Sequence, residues 1–127
     1  MWVSLLRERQ LISEDLLMRF VTCGPVLQEV FQGLRREPAE QAFVNTFLAL
    51  PCIGDPVPLR LYQEAAEIYR DGRGKGYTIR SSADCLIAAI AIEHGVPIWH
   101  RDRDFSWIAK YTRLEIWNSR ESTYLAT

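Results

Sequence analysis

The chain has 127 residues, of which 48% are hydrophobic, and it carries a formal net charge of −1 at pH 7. This length and apolar content predict one domain, spanning residues 1–127, with a core of its own. The near-zero charge excludes a protein that attracts nucleic acid by bulk charge alone. Thirteen of the fifteen basic residues are nevertheless arginines, which can bind phosphate in a bidentate manner.

The cysteines and the hydropathy pattern exclude several other classes. Cys23, Cys52 and Cys85 form no Cys-x-x-Cys pair, and the two histidines do not complete a zinc set of usual spacing. No apolar run approaches membrane-spanning length, and no segment has the charged start and apolar run of a signal peptide. We therefore expect a soluble, cytoplasmic protein in which Cys85 is a small buried hydrophobe.

Hydrophobic spacing predicts helices that alternate with short strands along the chain. The predicted helices cover residues 1–9, 13–20, 38–50, 59–71, 82–94 and 105–111, with one more that begins at Pro25 and keeps an apolar stripe as far as Leu34. The predicted strands cover residues 20–23, 52–53, 96–99 and 114–117. This alternation predicts a largely parallel sheet with helices on both faces.

A glycine-rich segment, DGRGKG, covers residues 71–76. It lacks the Lys-Ser/Thr pair that completes a P-loop, so that motif is not satisfied. Two interpretations stay open: a solvated connection, or a loop whose Arg73 and Lys75 contact substrate phosphates.

Three carboxylates are expected at one edge of the sheet. Asp84 lies in the first turn of the helix at 82–94, and the strand at 96–99 leads into a loop that carries Asp102 and Asp104. Ligands of such sheets bind beyond the carboxyl ends of the strands, where this loop lies. Clustered carboxylates repel one another unless a cation lies between them, and oxygen ligands suit Mg²⁺ or Mn²⁺. The pattern predicts a metal-dependent phosphodiester hydrolase.

Each carboxylate also has a structural interpretation. Asp84 can belong to a capping box with Ser81, although an unpaired carboxylate on a helix buried all round is costly and favours a metal. Asp102 or Asp104 can cap the helix predicted near residue 105; Asp104 fits the cap better by position, and Asp102 is the stronger ligand candidate. Glu29 lies off its apolar stripe, which is typical of a solvated residue.

Three further side chains border these acids. His100 ends the strand at 96–99, and a structural role is favoured over that of a general base. Arg101 and Arg103 flank Asp102 and can neutralise carboxylates or hold a phosphate, with solvated ion pairs as the alternative.

The ordered segments PVLQEVFQG at 25–33, ADCLIAA at 83–89, EHGVPI at 93–98 and RDRDF at 101–105 resemble PIN domains, specifically the VapC-type toxin ribonucleases of bacterial toxin–antitoxin pairs. The resemblance spans essentially the whole chain. It implies a three-layer α/β/α domain with a mostly parallel central sheet. It also implies a Mg²⁺- or Mn²⁺-dependent endoribonuclease that pairs with a small antitoxin and forms homodimers.

The resemblance also assigns site residues. Glu29, Asp84 and Asp102 fill three positions of the family's acidic quartet, with Asp104 as an accessory acid. Of these, Asp84 and Asp102 are expected to ligate the metal. Four basic residues are expected to contact RNA phosphates: Arg101, Arg103, Arg73 and Lys75.

The chain departs from the family pattern at two places. His100 stands where a Thr or Ser is common. The family's first strand and its Asp are expected before the Trp2-Val3 match, and here they are missing. An upstream start site or a gene truncation is the favoured explanation; a segment of this or another copy can fill the gap, or the fold is rearranged. The alternative function is therefore a non-catalytic PIN remnant that binds RNA or antitoxin without cleavage.

Overall fold

A computed structural model describes residues 19–100, 102–117 and 124–126. In chain order, the elements of these ranges are β1 (Phe20–Val21), α1 (Gly24–Gln32), α2 (Glu40–Leu48), α3 (Leu59–Gly74), α4 (Ser82–His94), β2 (Ile98–Trp99), α5 (Arg103–Tyr111) and β3 (Tyr124–Ala126). The helix predicted at 1–9 lies outside the described residues. The helix predicted at 13–20 also lies outside them, except for residues 19 and 20. None of the helices described is long and apolar enough to cross a bilayer.

The strands form a parallel sheet in the order β1-β3-β2. Leu125 of β3 pairs with Val21 of β1 on one side and with Ile98 of β2 on the other. Leu125 and Ile98 are both fully buried. The predicted parallel sheet is therefore confirmed, and its central strand comes from residues 124–126, a segment of this same chain.

The strand predicted at 114–117 is wrong in extent. Within the described part of the chain, Ile116 alone of these residues forms a bridge, with Ile98, at the edge of β2 that faces away from β3. Backbone hydrogen bonds support it, with the Ile98 N–H donating to Glu115 O (2.9 Å) and the Trp117 N–H donating to Ile98 O (2.7 Å). The predicted strand at 52–53 is likewise a single bridge, between Cys52 and Thr22. Strands this short depend on their partners, so their extent is not encoded locally.

Helix α4 forms the middle of the core, as its sequence predicts. Every residue from Ile87 to Ala91 is buried, and α3 packs along α4 with Leu61, Ala65 and Ile68 buried. Gly95 ends α4 in the left-handed conformation (φ 61°), which glycine adopts without steric cost. Cys85 is buried in α4, and burial raises the pKa of its thiol to about 11, consistent with the hydrophobic role expected for it.

The glycine-rich segment is not a loop over most of its length, because α3 continues to Gly74. A Cβ at Gly72 would lie 2.4 Å from the hydroxyl oxygen of Tyr111, and that hydroxyl donates to Ile68 O (2.8 Å). Gly72 therefore allows the end of α5 to approach α3 closely. The sequence shows the glycine but not the tyrosine that requires it.

Candidate metal centre

The first turns of α4 and α5 bring three carboxylates together. Asp84 lies in the first turn of α4, Asp102 immediately precedes α5, and Asp104 lies in its first turn. One oxygen from each lies within 4.8 Å of the other two. Opposite ligands of an octahedral Mg²⁺ lie about 4.2 Å apart, so this spacing suits a shared hard cation with small adjustment.

Two oxygens of this group are buried without a partner. Within the described ranges, neither Oδ2 of Asp84 nor Oδ1 of Asp104 has a hydrogen-bond partner. Asp84 is 4% exposed and Asp104 is 1% exposed. A buried carboxylate oxygen without a partner is costly, and coordination of a cation would remove that cost. The donor set therefore fits a divalent metal ion.

Electrostatic repulsion within the group supports the same interpretation. Burial, followed by the charges of Glu29, Asp102 and Asp104, raises the pKa of Asp84 to about 7. Partial burial also raises the pKa of Glu29, with a smaller contribution from the Asp102 charge. Negative charge at this site is thus unfavourable unless a cation compensates it.

The turn into α5 corrects the predicted cap. Asp102 is the N-cap, because its Oδ1 accepts the Asp104 N–H at 3.0 Å, and α5 begins at Arg103 rather than at residue 105. Asp104 is instead the buried acid, and its Oδ2 accepts the Arg80 N–H at 3.1 Å. A carboxylate has two oxygens, so Asp102 can cap through one and still offer the other to a metal.

The capping-box interpretation of Asp84 does not hold. Ser81 occupies the N-cap position of α4, but its side chain makes no capping hydrogen bond. The turn is closed by the backbone, with the Asp84 N–H donating to Ser81 O at 3.1 Å. The carboxylate of Asp84 is directed instead at the group it forms with Asp102 and Asp104.

The remaining predicted residues lie at different distances from this group. Glu29, on α1, is close enough to raise the pKa of Asp84 but is not one of the three acids within 4.8 Å. Arg103, the first residue of α5, is exposed, and its guanidinium lies 5.0 Å from the centre of the Trp107 ring. Arg101 lies outside the described residues.

Arg73 and Lys75 are not brought to the carboxylates. They lie at the carboxyl end of α3, where Gly72 packs against Tyr111, the last residue of α5. Asp104 is at the opposite end of α5, a helical rise of about 10 Å away. Their predicted contact with RNA phosphates stays a prediction, and it would concern nucleotides distant from the three acids.

Two groups at the site make hydrogen bonds that were not predicted from the sequence. One is the backbone N–H of Arg80, which no side-chain pattern can indicate because every residue except proline has one. The other is the ring of His100, whose Nδ1 accepts the Asp102 N–H at 3.1 Å. Partial burial lowers the pKa of His100, which favours the neutral ring that this acceptor role needs.

The sheet is parallel and helices flank it, and acidic side chains cluster at the first turns of two of these helices. The chain is therefore an α/β protein whose candidate site is built from carboxylates. The family model described as PIN domain matches residues 2–111, and the chain belongs to the PIN domain family. The predicted three-layer α/β/α architecture is thereby confirmed.

Named proteins resemble this chain over most of its length. VapC ribonuclease Mb1587 of Mycobacterium bovis and Ribonuclease VapC11 of Mycobacterium tuberculosis, the latter from strains H37Rv and CDC 1551, are each 37% identical to it over 115 residues. The matched region covers 89% of this chain and 83% of each relative. The predicted resemblance to VapC-type ribonucleases is confirmed.

Proposed function

We propose that this protein is a VapC-type endoribonuclease that hydrolyses RNA phosphodiester bonds with Mg²⁺ or Mn²⁺ at the candidate metal centre. The observation that carries the proposal is the group Asp84, Asp102 and Asp104, with two buried oxygens that have no partner among the described residues. The relatives, which are named as ribonucleases, support the same activity.

The described residues suggest a division of roles. Asp84, Asp102 and Asp104 would hold the cation, which when bound lowers the pKa of water and stabilises charge on the reacting phosphate. Glu29 has a raised pKa beside this group, so it is suited to accept a proton from the attacking water. Arg103 is exposed next to Asp102 and would bind a phosphate of the RNA.

The test is RNA cleavage by the purified chain with Mg²⁺ or Mn²⁺, with and without a chelator. Asp84→Asn should abolish cleavage, whereas Asp71→Asn, an exposed aspartate on α3, should leave it unchanged. Cleavage that persists in the chelator, or in Asp84→Asn, would refute the proposal.

The proposed partners are RNA, a small antitoxin and a second copy of this chain, in the cytoplasm. A basic side chain of the antitoxin would enter the acidic group. For the homodimer, α3 exposes Leu59 (82%) and Tyr62 (50%) on one face, beside a cleft of about 520 Å³ between α3 and α4. Exposed apolar surface of this kind is typical of an interface. Leu59→Glu should shift the protein from dimer to monomer in light scattering, and an unchanged mass would argue against this face.

One observation favours a non-catalytic alternative. The central strand β3 consists of Tyr124, Leu125 and Ala126 and supplies no carboxylate. The resemblance implies a fourth acid on the family's first strand, which is central in that family's sheet. A protein that binds RNA or antitoxin without cleaving RNA would satisfy this observation. Saturable RNA binding without any metal-dependent cleavage would support the alternative.

A further inference from the structure

His100 lies between the end of β2 and the acidic turn, and both of its ring nitrogens have polar neighbours. Its Nδ1 accepts the backbone N–H of Asp102 at 3.1 Å. Its Nε2 lies 3.5 Å from Oγ of Ser106, one turn into α5. The ring also packs on Phe105, with centroids 5.4 Å apart, and Phe105 is fully buried. Three contacts therefore define the orientation of the imidazole.

These contacts determine where the ring carries its proton. An N–H donor directed at Nδ1 requires a lone pair there, so a neutral ring has its hydrogen on Nε2. Ser106 Oγ is then placed to accept that hydrogen. This arrangement needs, at position 100, a side chain that accepts a hydrogen bond from the backbone N–H of the residue two positions later.

The hydrogen bond from Asp102 to His100 begins a series that crosses the acidic turn. Asp102 Oδ1 accepts the Asp104 N–H at 3.0 Å, and Asp104 Oδ2 accepts the Arg80 N–H at 3.1 Å. Asp84 and Asp104 are held by burial, whereas Asp102 is exposed. Asp102 therefore depends on hydrogen bonds for its position more than the other two acids do.

We propose that His100 is a positioning residue: an Nε2-protonated imidazole that holds the backbone of Asp102 so that its carboxylate stays within reach of Asp84 and Asp104. The ring acts through Asp102 and touches neither metal nor RNA. The expected effect on metal affinity rests on the proposed metal centre, whereas the hydrogen bond between Asp102 and His100 can be tested without metal.

The first test compares Mn²⁺ affinity, measured by titration calorimetry, in His100→Asn and His100→Leu. The amide oxygen of asparagine can accept an N–H two residues ahead, as in an Asx-turn, whereas leucine cannot. Loss of a residue that orients a metal ligand typically weakens affinity by about 10–100-fold, so we expect a loss of at least about 10-fold in His100→Leu. We expect His100→Asn to bind within a few-fold of the wild type, and both variants to retain the wild-type circular dichroism spectrum. Equal affinity of wild type and His100→Leu would overturn the proposal.

The second test uses the unmodified, metal-free protein and needs no variant to fold. The ¹⁵N shifts of His100 at pH 8 should show a hydrogen on Nε2 and a bare Nδ1. A hydrogen on Nδ1 would overturn the proposal whatever the metal affinities are. If the wild type binds no Mn²⁺, the proposed function fails, while an Nε2-protonated ring with a protected Asp102 amide would still support the positioning contact.

Discussion

The backbone N–H of Arg80 donates to Oδ2 of Asp104 at 3.1 Å and so joins the segment before α4 to the first turn of α5. This bond satisfies one oxygen of a carboxylate that is otherwise fully buried, while Oδ1 has no partner among the described residues. Asp104 is therefore held in place through one oxygen and lies in the same group as Asp84 and Asp102.

The metal-free protein should lose stability as the pH rises from about 4 to about 7. Burial, followed by the charges of Glu29, Asp102 and Asp104, raises the pKa of Asp84 to about 7 in the folded state, above its ordinary value in the unfolded chain. The folded state then binds more protons than the unfolded state across this range, so the free energy of unfolding falls as the pH rises and levels off above the folded pKa. Urea unfolding in the presence of a chelator, from pH 4 to pH 8.5, measures this change in the free energy of unfolding. A free energy difference between wild type and Asp84→Asn that does not vary with pH would contradict the prediction.

Asp84→Asn should separate stability from metal binding. At pH 8 without metal, we expect the variant to be more stable than wild type by about 1–2 kcal/mol, since solvent at the open side of the site screens part of the repulsion. Mn²⁺ at 100 times its dissociation constant should stabilise the wild type by about 2.7 kcal/mol and the variant much less. Thermal unfolding with Mn²⁺ and with chelator gives both quantities, and Asp71→Asn is the control. Equal stabilisation of the wild type and of Asp84→Asn by Mn²⁺ would argue against Asp84 as a ligand.

Gly72→Ala should destabilise the protein although it lies in a helix. The added Cβ would meet the Tyr111 hydroxyl oxygen at 2.4 Å and Tyr77 O at 3.2 Å, and we expect a cost of about 1–3 kcal/mol. Gly74→Ala is the matched control, because a Cβ there meets no atom of the described residues within 4 Å and should stabilise the helix by up to about 1 kcal/mol. Adding Tyr111→Phe to Gly72→Ala should recover part of the loss. Chemical unfolding measures all three, and a stabilising Gly72→Ala would show that α5 does not pack on α3 in this way.

Leu125→Ala should test whether β3 completes the sheet. Leu125 is fully buried between β1 and β2, so its truncation should cost about 2–5 kcal/mol. Ile116→Ala is the control, because Ile116 is 39% exposed at the outer edge of β2 and should cost about 1 kcal/mol or less. Urea unfolding compares the two variants. Equal costs would mean that residues 124–126 do not form the central strand.

The presence and approximate position of helices α1 to α5 and the identity of the acidic residues could be predicted from the sequence because both depend on local spacing. The apolar residues of α4 cover every side of the helix, which indicates a buried element wherever it packs. Asp84 lies just after the start of α4, and Asp102 and Asp104 follow β2. Chain order alone therefore placed these three acids at one edge of a parallel sheet.

Sequence spacing did not reveal which of the carboxylates of Asp102 and Asp104 caps α5 and which is buried. Asp102 and Asp104 are both suited to cap a helix, and the choice depends on contacts that form only in the folded chain: the distant Arg80 N–H holds Asp104, and the neighbouring His100 ring holds the backbone of Asp102. The same holds for Gly72, whose need for glycine comes from Tyr111, in another helix.

The sequence by itself therefore determined the PIN family, through the motif segments that resemble it. It also determined the helices and the residues from which a metal site can be built, since periodicity and chain order carry that information. Only the tertiary structure decided that residues 124–126 form the middle of the sheet, because a three-residue strand has little local signal and is stabilised by β1 and β2 on either side. The tertiary structure alone also decided which carboxylate oxygens are buried without a partner among the described residues, because desolvation and hydrogen bonding depend on groups that meet only after folding.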